Sequence, residues 1–229
     1  MFDEPSLTKA LAEIGYRRVK EHVYRAEWSS DDVEHFIYLQ LYGYPLDVVA
    51  SDFLTAHFGI RNKDAQLFAV QSLKTYGSKS AQLIRHDDTD CPMRFELGRL
   101  AGDWGLLDSF ALSQVSGFTV ASKVRDTVKY KVFPAVRHVV NVNRLLAFLL
   151  ADAEPCPWIR CNGALRAGMI VDLAHRLGME QGVIEEALKP YLERIGMELR
   201  RAPNPDPQFY VRRIIEDSFN EGLARNDRS

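Results

Sequence analysis

Two different spacings of apolar residues divide the chain. Residues 16–60 contain runs rich in aromatic and β-branched residues in which apolar and polar positions partly alternate, as in Val23–Trp28 and Val33–Tyr42. This spacing is typical of β-strands with one buried face. From Thr119 onward, apolar residues recur every three or four positions, which predicts helices. The connections between the early runs are too short for helical crossovers, so we expect an antiparallel meander.

Residues that begin and end helices frame this meander. Pro5 stands near the start of a short helix, and Gly15 is placed to end that helix in a left-handed conformation. After the strands, Asn62 is the expected N-cap of a helix that runs to Tyr76. Gly59 is expected to end the strand that precedes this helix.

The second half predicts a series of helices. Valines recur every four residues from 120 to 132, and Pro134 must end or kink the helix that they form. A strand followed by a helix stays open for this segment, because valine is β-branched. Further helices are expected over about 141–151, 162–177, 180–195 with a kink at Pro190, and 208–223. The sequence therefore predicts the α+β class: an antiparallel β-meander covered by helices, followed by a mainly α-helical C-terminal half.

Charge supports a division of the chain after Gln114. Residues 1–114 carry 12 basic and 17 acidic side chains and residues 115–229 carry 17 and 14, so the net charge of -2 combines -5 with +3. We predict a strand-rich α+β part, 1–114, and a helical part, 115–229. No linker rich in Gly, Ser or Pro separates them, and one continuous domain stays open as an alternative.

Composition restricts the class of protein. Of 229 residues, 46% are hydrophobic and 26% charged, which excludes collagen-like, wholly disordered and disulfide-dense chains. The longest apolar run, Leu145–Ala151, is far shorter than the ~20 residues that span a bilayer. The acidic start lacks a secretory signal, and the three cysteines form no disulfide framework. These features predict a cytoplasmic protein without a membrane partner.

One segment concentrates residue types that bind metals. His86, Asp87, Asp88 and Asp90 place one imidazole and three carboxylates close together in the sequence. Such groups bind Mg²⁺, Ca²⁺ or Mn²⁺, and the ion could activate water against a phosphate ester. Adjacent carboxylates in a polar loop are usually solvated, however, and the spacing lacks the ligand alternation of a calcium loop. A metal-dependent phosphate-ester hydrolase or nuclease is therefore the alternative function.

A surface for a protein partner is predicted on the strand-rich part. Its acidic members could imitate a nucleic acid toward a basic partner and speed association by electrostatic steering. Its aromatic members belong to the aromatic residues of the strand runs, which are more numerous than one sheet face needs to form a core under helices. Core packing is the competing interpretation of these aromatic residues. The predicted partner-binding residues are Glu27, Trp28, Asp31, Asp32, Glu34, Tyr42 and Tyr44.

We interpret a set of basic residues and two histidines as structural rather than functional. A basic set in the helical half could bind a phosphate or an acidic protein, but a solvated helix face is favoured because the chain has no net positive charge. His35 and His57 alternate with apolar neighbours, so a structural role is favoured for both. The basic set consists of Lys123, Arg125, Lys129, Lys131, Arg137 and Arg144.

The order of segments in the first sixty residues carries a family resemblance. A helix that ends in Gly followed by an aromatic residue, Ile14–Val19, precedes the runs Val23–Trp28, Phe36–Gln40 and Phe53–Ile60. Over about residues 5–60 the chain resembles an uncharacterised bacterial family of α+β proteins, a domain of unknown function. The resemblance extends more loosely into the helical half, around Val132–Ala135 and Arg166–Gly178. The resemblance implies this fold and no catalytic residues. Some such small bacterial proteins accompany toxins or defence systems.

These observations predict a non-catalytic, cytoplasmic protein-binding module. The chain contains no recognisable nucleophile motif and no Gly-rich phosphate loop. A toxin-neutralising immunity protein is the specific form that we expect, with a basic toxin domain as its partner. Neither a nucleic acid nor a cofactor is predicted to bind.

Overall fold

The protein has an α+β fold with one sheet and a larger number of helices. A computed structural model describes residues 3–46, 49–77, 91, 94–102, 110–112, 115–151 and 163–226. Strands fill most of the first 61 residues, and helices dominate after residue 115. The predicted fold class is therefore confirmed. Within the described ranges, we find no helix with the length and apolar character needed to cross a membrane.

The strands form one sheet in which the first five lie in chain order, each hydrogen-bonded to its neighbours in that order, and the sixth pairs with the fourth. The strands are β1 (Tyr16–Lys20), β2 (Val23–Ala26), β3 (Glu34–Leu46), β4 (Val49–Arg61), β5 (Arg94–Glu96) and β6 (Phe110–Ala111). Tyr16 lies opposite Ala26 and Tyr24 opposite Ile37, both in antiparallel register. The prediction that Gly59 ends its strand is wrong, because β5 pairs with Gly59 and holds it in the ladder.

The helices alternate with short turns through the rest of the described chain. They are α1 (Glu4–Ala12), α2 (Lys63–Tyr76), α3 (Leu97–Ala101), α4 (Gly117–Thr127), α5 (Phe133–Val136), α6 (Val142–Leu150), α7 (Gly163–Arg176), α8 (Gln181–Leu188), α9 (Leu192–Leu199) and α10 (Pro207–Asn226). A π-helical turn, Val128–Val132, joins α4 to α5, and a 3₁₀ turn, Lys189–Tyr191, joins α8 to α9. The kink expected at Pro190 is therefore this 3₁₀ turn.

Helix α1 begins and ends where its sequence predicts. The Asp3 carboxylate accepts a hydrogen bond from the Ser6 backbone N–H at 3.1 Å, which satisfies one of the amides that a helix start leaves without a partner. Gly15 adopts a φ of +80° after the helix. Its carbonyl then accepts the Glu27 backbone N–H at 2.8 Å. The end of α1 is thereby fixed to the end of β2.

The helix of the valine repeat continues through Pro134 instead of ending before it. Pro134 has no N–H to donate to the carbonyl of Tyr130, four residues earlier. The chain responds by widening one turn, in which the Phe133 N–H donates to the Val128 carbonyl, five residues back. In an α-helix, residues four apart are rotated about 40° beyond a full turn, so the valine repeat would gradually leave the buried face. The wider turn offsets this rotation. Val132 consequently stays as fully buried as Val128.

The described chain divides into two compact units. The first consists of Met1–Ile60, Arg94–Val140 and Pro157–Arg160, and the second of Arg61–Met93, Asn141–Cys156 and Cys161–Ser229. The first contains the sheet with α1 and α3 to α5, and the second contains α2 and α6 to α10. Each unit takes residues from both sides of position 114. The division at Gln114 describes composition, and as a domain boundary it stays a prediction.

Candidate binding groove

An open groove on the first unit is the strongest candidate for a functional site. Its volume is about 630 Å³. The lining comes from the three residues after α1, from Trp28 two residues beyond the end of β2, and from the π-helical turn, α5 and Arg137. We call it the Trp28 groove, and its described lining residues are Glu13, Ile14, Gly15, Trp28, Lys129, Tyr130, Phe133, Pro134 and Arg137.

Interlocked aromatic rings build one wall of the Trp28 groove. The Trp28 indole meets the Phe133 ring edge to face, with centroids 5.8 Å apart. Phe133 stacks on Tyr16 at 6.3 Å, and Tyr16 meets Trp28 at 6.1 Å. Tyr16 is 1% exposed, and its burial raises the pKa of its hydroxyl far above the ordinary value. Three rings in mutual contact hold Trp28 in one position at the groove.

Gly15 lets the backbone turn close to this wall. Its positive φ is a conformation that residues with a Cβ adopt only at a cost. A Cβ at this position would lie 3.6 Å from Trp28 Cδ1. The residue that ends α1 thus also fits beside the indole in the groove.

Tyr130 presents the largest exposed aromatic surface of the groove. It stands on the π-helical turn opposite the buried valines, and 62% of it is exposed. Tyr130 also lines a second, smaller groove of about 280 Å³, together with Ala101, Lys123, Asp126, Thr127 and Lys131. One exposed ring therefore borders two adjacent grooves.

Two cations at the Trp28 groove interact with its rings. Lys129 Nζ lies 5.1 Å from the centroid of the Tyr130 ring, and Arg137 Cζ lies 5.3 Å from that of Phe133. Among the residues that the structure describes, neither cation has a carboxylate partner. Both side chains are exposed at the rim and are available to an anionic group.

The acidic residues of the two grooves share one partner. Arg125 Nη1 lies 3.1 Å from the Glu13 carboxylate, and Arg125 Nε lies 2.9 Å from that of Asp126. These hydrogen bonds raise the pKa of Arg125, which keeps the guanidinium charged. Glu13 lines the Trp28 groove and Asp126 the smaller one. One arginine thus forms an ion pair with an acidic residue of each groove.

The predicted partner-binding residues fall into different settings. Trp28 lies in the groove, whereas Glu27, Asp31 and Asp32 are exposed near β2 and the following turn. Glu34 is paired with Arg25, whose Nε lies 3.0 Å from its carboxylate. Tyr42 and Tyr44 belong to β3, and their side chains lie outside the described part of the structure. A role of these residues in binding a partner stays a prediction.

Most of the aromatic set is core. Tyr16, Tyr24, Phe36, Tyr38 and Phe58 are all 4% exposed or less. For these five residues, the competing interpretation of core packing is confirmed. Among the described residues, Phe118, Tyr130 and Phe209 are the exposed aromatic side chains, and all three lie on helical segments.

The predicted metal ligands His86, Asp87, Asp88 and Asp90 lie outside the described residues. Within the described ranges, no group of three or more His, Cys, Asp or Glu side chains is placed to hold a metal ion. The metal site at residues 86–90 stays a prediction.

The sequence did not single out Tyr130 or Phe133 as site residues, and it singled out Pro134 only as a helix breaker. A signal for them existed, because Tyr130 lies between two lysines and out of register with the valine repeat. Of the predicted basic set, five members contact the grooves or their acidic residues, and Arg144 lies on α6 in the second unit.

Comparison of the chain with protein-family models, with curated proteins and with solved structures gave no match. The resemblance to an uncharacterised bacterial family stays a prediction.

Proposed function

We propose that this chain is a non-catalytic binding module that recognises another protein through the Trp28 groove. The observation that carries the proposal is the exposed Tyr130 ring beside an aromatic wall and two rim cations. Tyr, Trp and Arg are the residues that contribute most to binding energy at protein interfaces, because they offer large rigid surfaces with a polar end.

The shape of the site supports a protein ligand. A small-molecule site usually encloses most of its ligand, whereas the Trp28 groove is open to solvent and shares Tyr130 with the adjacent second groove. The rim cations and the apolar wall lie side by side, so a segment with both charged and apolar side chains fits the surface. The acidic side chain of the groove, Glu13, is held in an ion pair with Arg125.

Toxin neutralisation by an immunity protein is the more specific form of the binding-module hypothesis, with a basic partner at acidic residues outside the described lining of the Trp28 groove. It rests on the exposed carboxylates Glu27, Asp31 and Asp32 and on the family resemblance. The metal-dependent hydrolase remains the alternative hypothesis, with His86, Asp87, Asp88 and Asp90 as its ligands.

Selection of short random peptides displayed on phage tests the binding function. The library is first depleted on Tyr130→Ala and then selected on the unaltered protein. We expect enriched peptides that bind Tyr130→Ala about tenfold or more weakly than they bind the unaltered protein. A loss of this size is typical of a hot-spot residue at a protein interface.

Phe118→Ala is the matched control, because Phe118 is 75% exposed on α4 and is outside the described lining of both grooves. Peptides should bind this variant as they bind the unaltered protein. Failure to enrich any peptide that depends on Tyr130 would contradict the proposed function.

A further inference from the structure

We propose that the ligand is an acidic, extended segment of the partner protein, and this inference rests on the proposed function. The segment crosses Tyr130 and occupies both grooves. The inference concerns the class of ligand and the number of grooves it fills. Shape, charge and the ion pairs of Arg125 each support it.

The two grooves are adjacent because Tyr130 lines both, and we call them together the track. An extended chain advances about 3.3 Å per residue and points successive side chains to opposite sides. Such a segment can place one apolar side chain against Trp28 and continue past the Tyr130 ring toward Lys131. A compact ligand would fill one groove and leave the other empty.

The charge of this track is opposite to that of the whole chain. The two grooves and the Arg125 ion pairs bring together five cations, Lys123, Arg125, Lys129, Lys131 and Arg137, and two acidic residues, Glu13 and Asp126. Among the described residues, five positive and two negative charges give +3 locally, whereas the whole chain carries -2. The local excess is therefore a property of this surface, and it is complementary to an acidic ligand.

Arg125 compensates the acidic residues of the track, which leaves its surface predominantly positive. Without it, Glu13 and Asp126 would each place an uncompensated carboxylate in one of the grooves. With it, both carboxylates are ion-paired at 3.1 and 2.9 Å. Arg125 thus acts as a positioning residue that removes repulsion toward an anionic ligand.

The same surface favours an acidic peptide over a nucleic acid. Proteins that bind single strands usually combine a basic field with several stacking rings. Here Tyr130 is the groove residue with a largely exposed ring, while Ile14, Phe133 and Pro134 offer contacts suited to an aliphatic side chain. Rim cations beside an apolar wall match an acidic segment that contains a hydrophobic residue.

The charge of the peptides selected for dependence on Tyr130 provides the test. We expect the enriched pool to be net negative with a recurrent hydrophobic residue. A fluorescently labelled member should bind at least about tenfold more weakly to the double variant Lys129→Glu and Arg137→Glu, and also when salt rises from about 50 to 300 mM. Arg144→Glu is the control, since Arg144 is exposed on α6 outside the grooves, and it should change affinity less than about twofold.

A cycle of variants tests the role of Arg125. Arg125→Met should weaken binding of the acidic peptide about tenfold, and adding Glu13→Gln should recover part of that loss. A variant that merely loosened the fold would not regain affinity when a second residue is changed. Thermal unfolding of both variants provides an independent measure of folding.

The possible contrary results separate the two proposals. A Tyr130-dependent pool that is neutral or basic, or peptides insensitive to the double charge reversal, would overturn the acidic ligand and leave the binding module standing. Tighter Tyr130-dependent binding of a single-stranded oligonucleotide than of the acidic peptide would overturn it in favour of a nucleic acid. A selection without any Tyr130-dependent peptide would overturn both proposals.

Discussion

The indole of Trp28 lies on the imidazole of His35, with ring centroids 4.2 Å apart and planes tilted by 53°. His35 is fully buried, and its Nε2 donates a hydrogen bond of 2.7 Å to the Val139 carbonyl. Its Nδ1 is buried and has no hydrogen-bond partner among the described residues. The imidazole beneath the groove wall is therefore neutral, with its proton on Nε2, and a second proton would add a donor without an acceptor.

Lowering the pH should destabilise the protein through His35. Burial lowers the pKa of His35 from 6.5 to about 4. The unfolded chain therefore binds more protons than the folded chain between those values, so this contribution to stability is present above pH 6.5 and is lost as the pH falls toward 4. Integration of the shift gives a loss of up to about 3 kcal/mol.

The comparison of denaturant unfolding with His35→Gln isolates this contribution, because glutamine keeps a donor for the Val139 carbonyl and does not titrate. We expect the unaltered protein to lose more free energy of unfolding than the variant between pH 7 and pH 4.5. Parallel pH profiles for the two proteins would show that His35 is not responsible.

Alanine at Gly15 should cost stability through the backbone. The φ of +80° places a residue with a Cβ in the left-handed region, which costs about 1–2 kcal/mol. The new Cβ would meet Trp28 at an ordinary contact distance of 3.6 Å, so little further loss is expected. Gly178→Ala is the matched control, since Gly178 has a φ of +73° after α7 and open space around its Cβ position. Similar losses in chemical unfolding are expected; a much larger loss at Gly15 would indicate displacement of Trp28.

Local signals in the sequence were sufficient for much of the fold. The Asn62 side chain accepts the Ala65 N–H at 2.9 Å and begins α2 at the predicted place, because a cap needs only residues three positions apart. Gly15 likewise requires only its own backbone. The runs in which apolar and polar residues alternate predicted β1 to β4. Each of these strands pairs with the strand next to it in the sequence, so its register also depends on nearby residues.

The candidate site depends on information that is not local. Pro134 predicts a disturbed helix, but its sequence does not distinguish an end from a widened turn, and that difference decides which side Tyr130 faces. Glu13 and Arg125 are 112 positions apart, so no spacing rule could pair them. Trp28 was predicted at a partner surface, yet the far side of its groove, Lys129 to Arg137, comes from a segment more than 100 residues later.

Alanine at Gly168 should destabilise the second unit. Helices α2 and α7 pack closely there, and a Cβ on Gly168 would lie 2.8 Å from both Cα and Cβ of Ala69. Backbone atoms must then move, which costs about 1–3 kcal/mol. Gly182→Ala in α8 is the control, because its Cβ would meet nothing within 4 Å and should stabilise the helix by up to about 1 kcal/mol. Opposite shifts in thermal midpoint are expected, and a stabilising Gly168→Ala would contradict the close packing.

The carbonyl of Leu149 near the end of α6 should couple Arg166 to Tyr191. Arg166 is fully buried, and its Nε donates to that carbonyl at 3.1 Å. Its Nη2 also donates to the same oxygen. The Tyr191 hydroxyl donates to the same oxygen at 2.8 Å. Tyr191→Phe should cost about 1 kcal/mol, because both Arg166 donors remain. Arg166→Met should cost about 3 kcal/mol, because it leaves only the Tyr191 hydroxyl of these three donors. The double variant removes all three described side-chain donors from the carbonyl, so its loss should exceed the sum of the two by about 1–2 kcal/mol. Chemical unfolding of the four proteins measures this coupling. Additive losses would mean that Arg166 and Tyr191 stabilise the fold independently of the carbonyl they share.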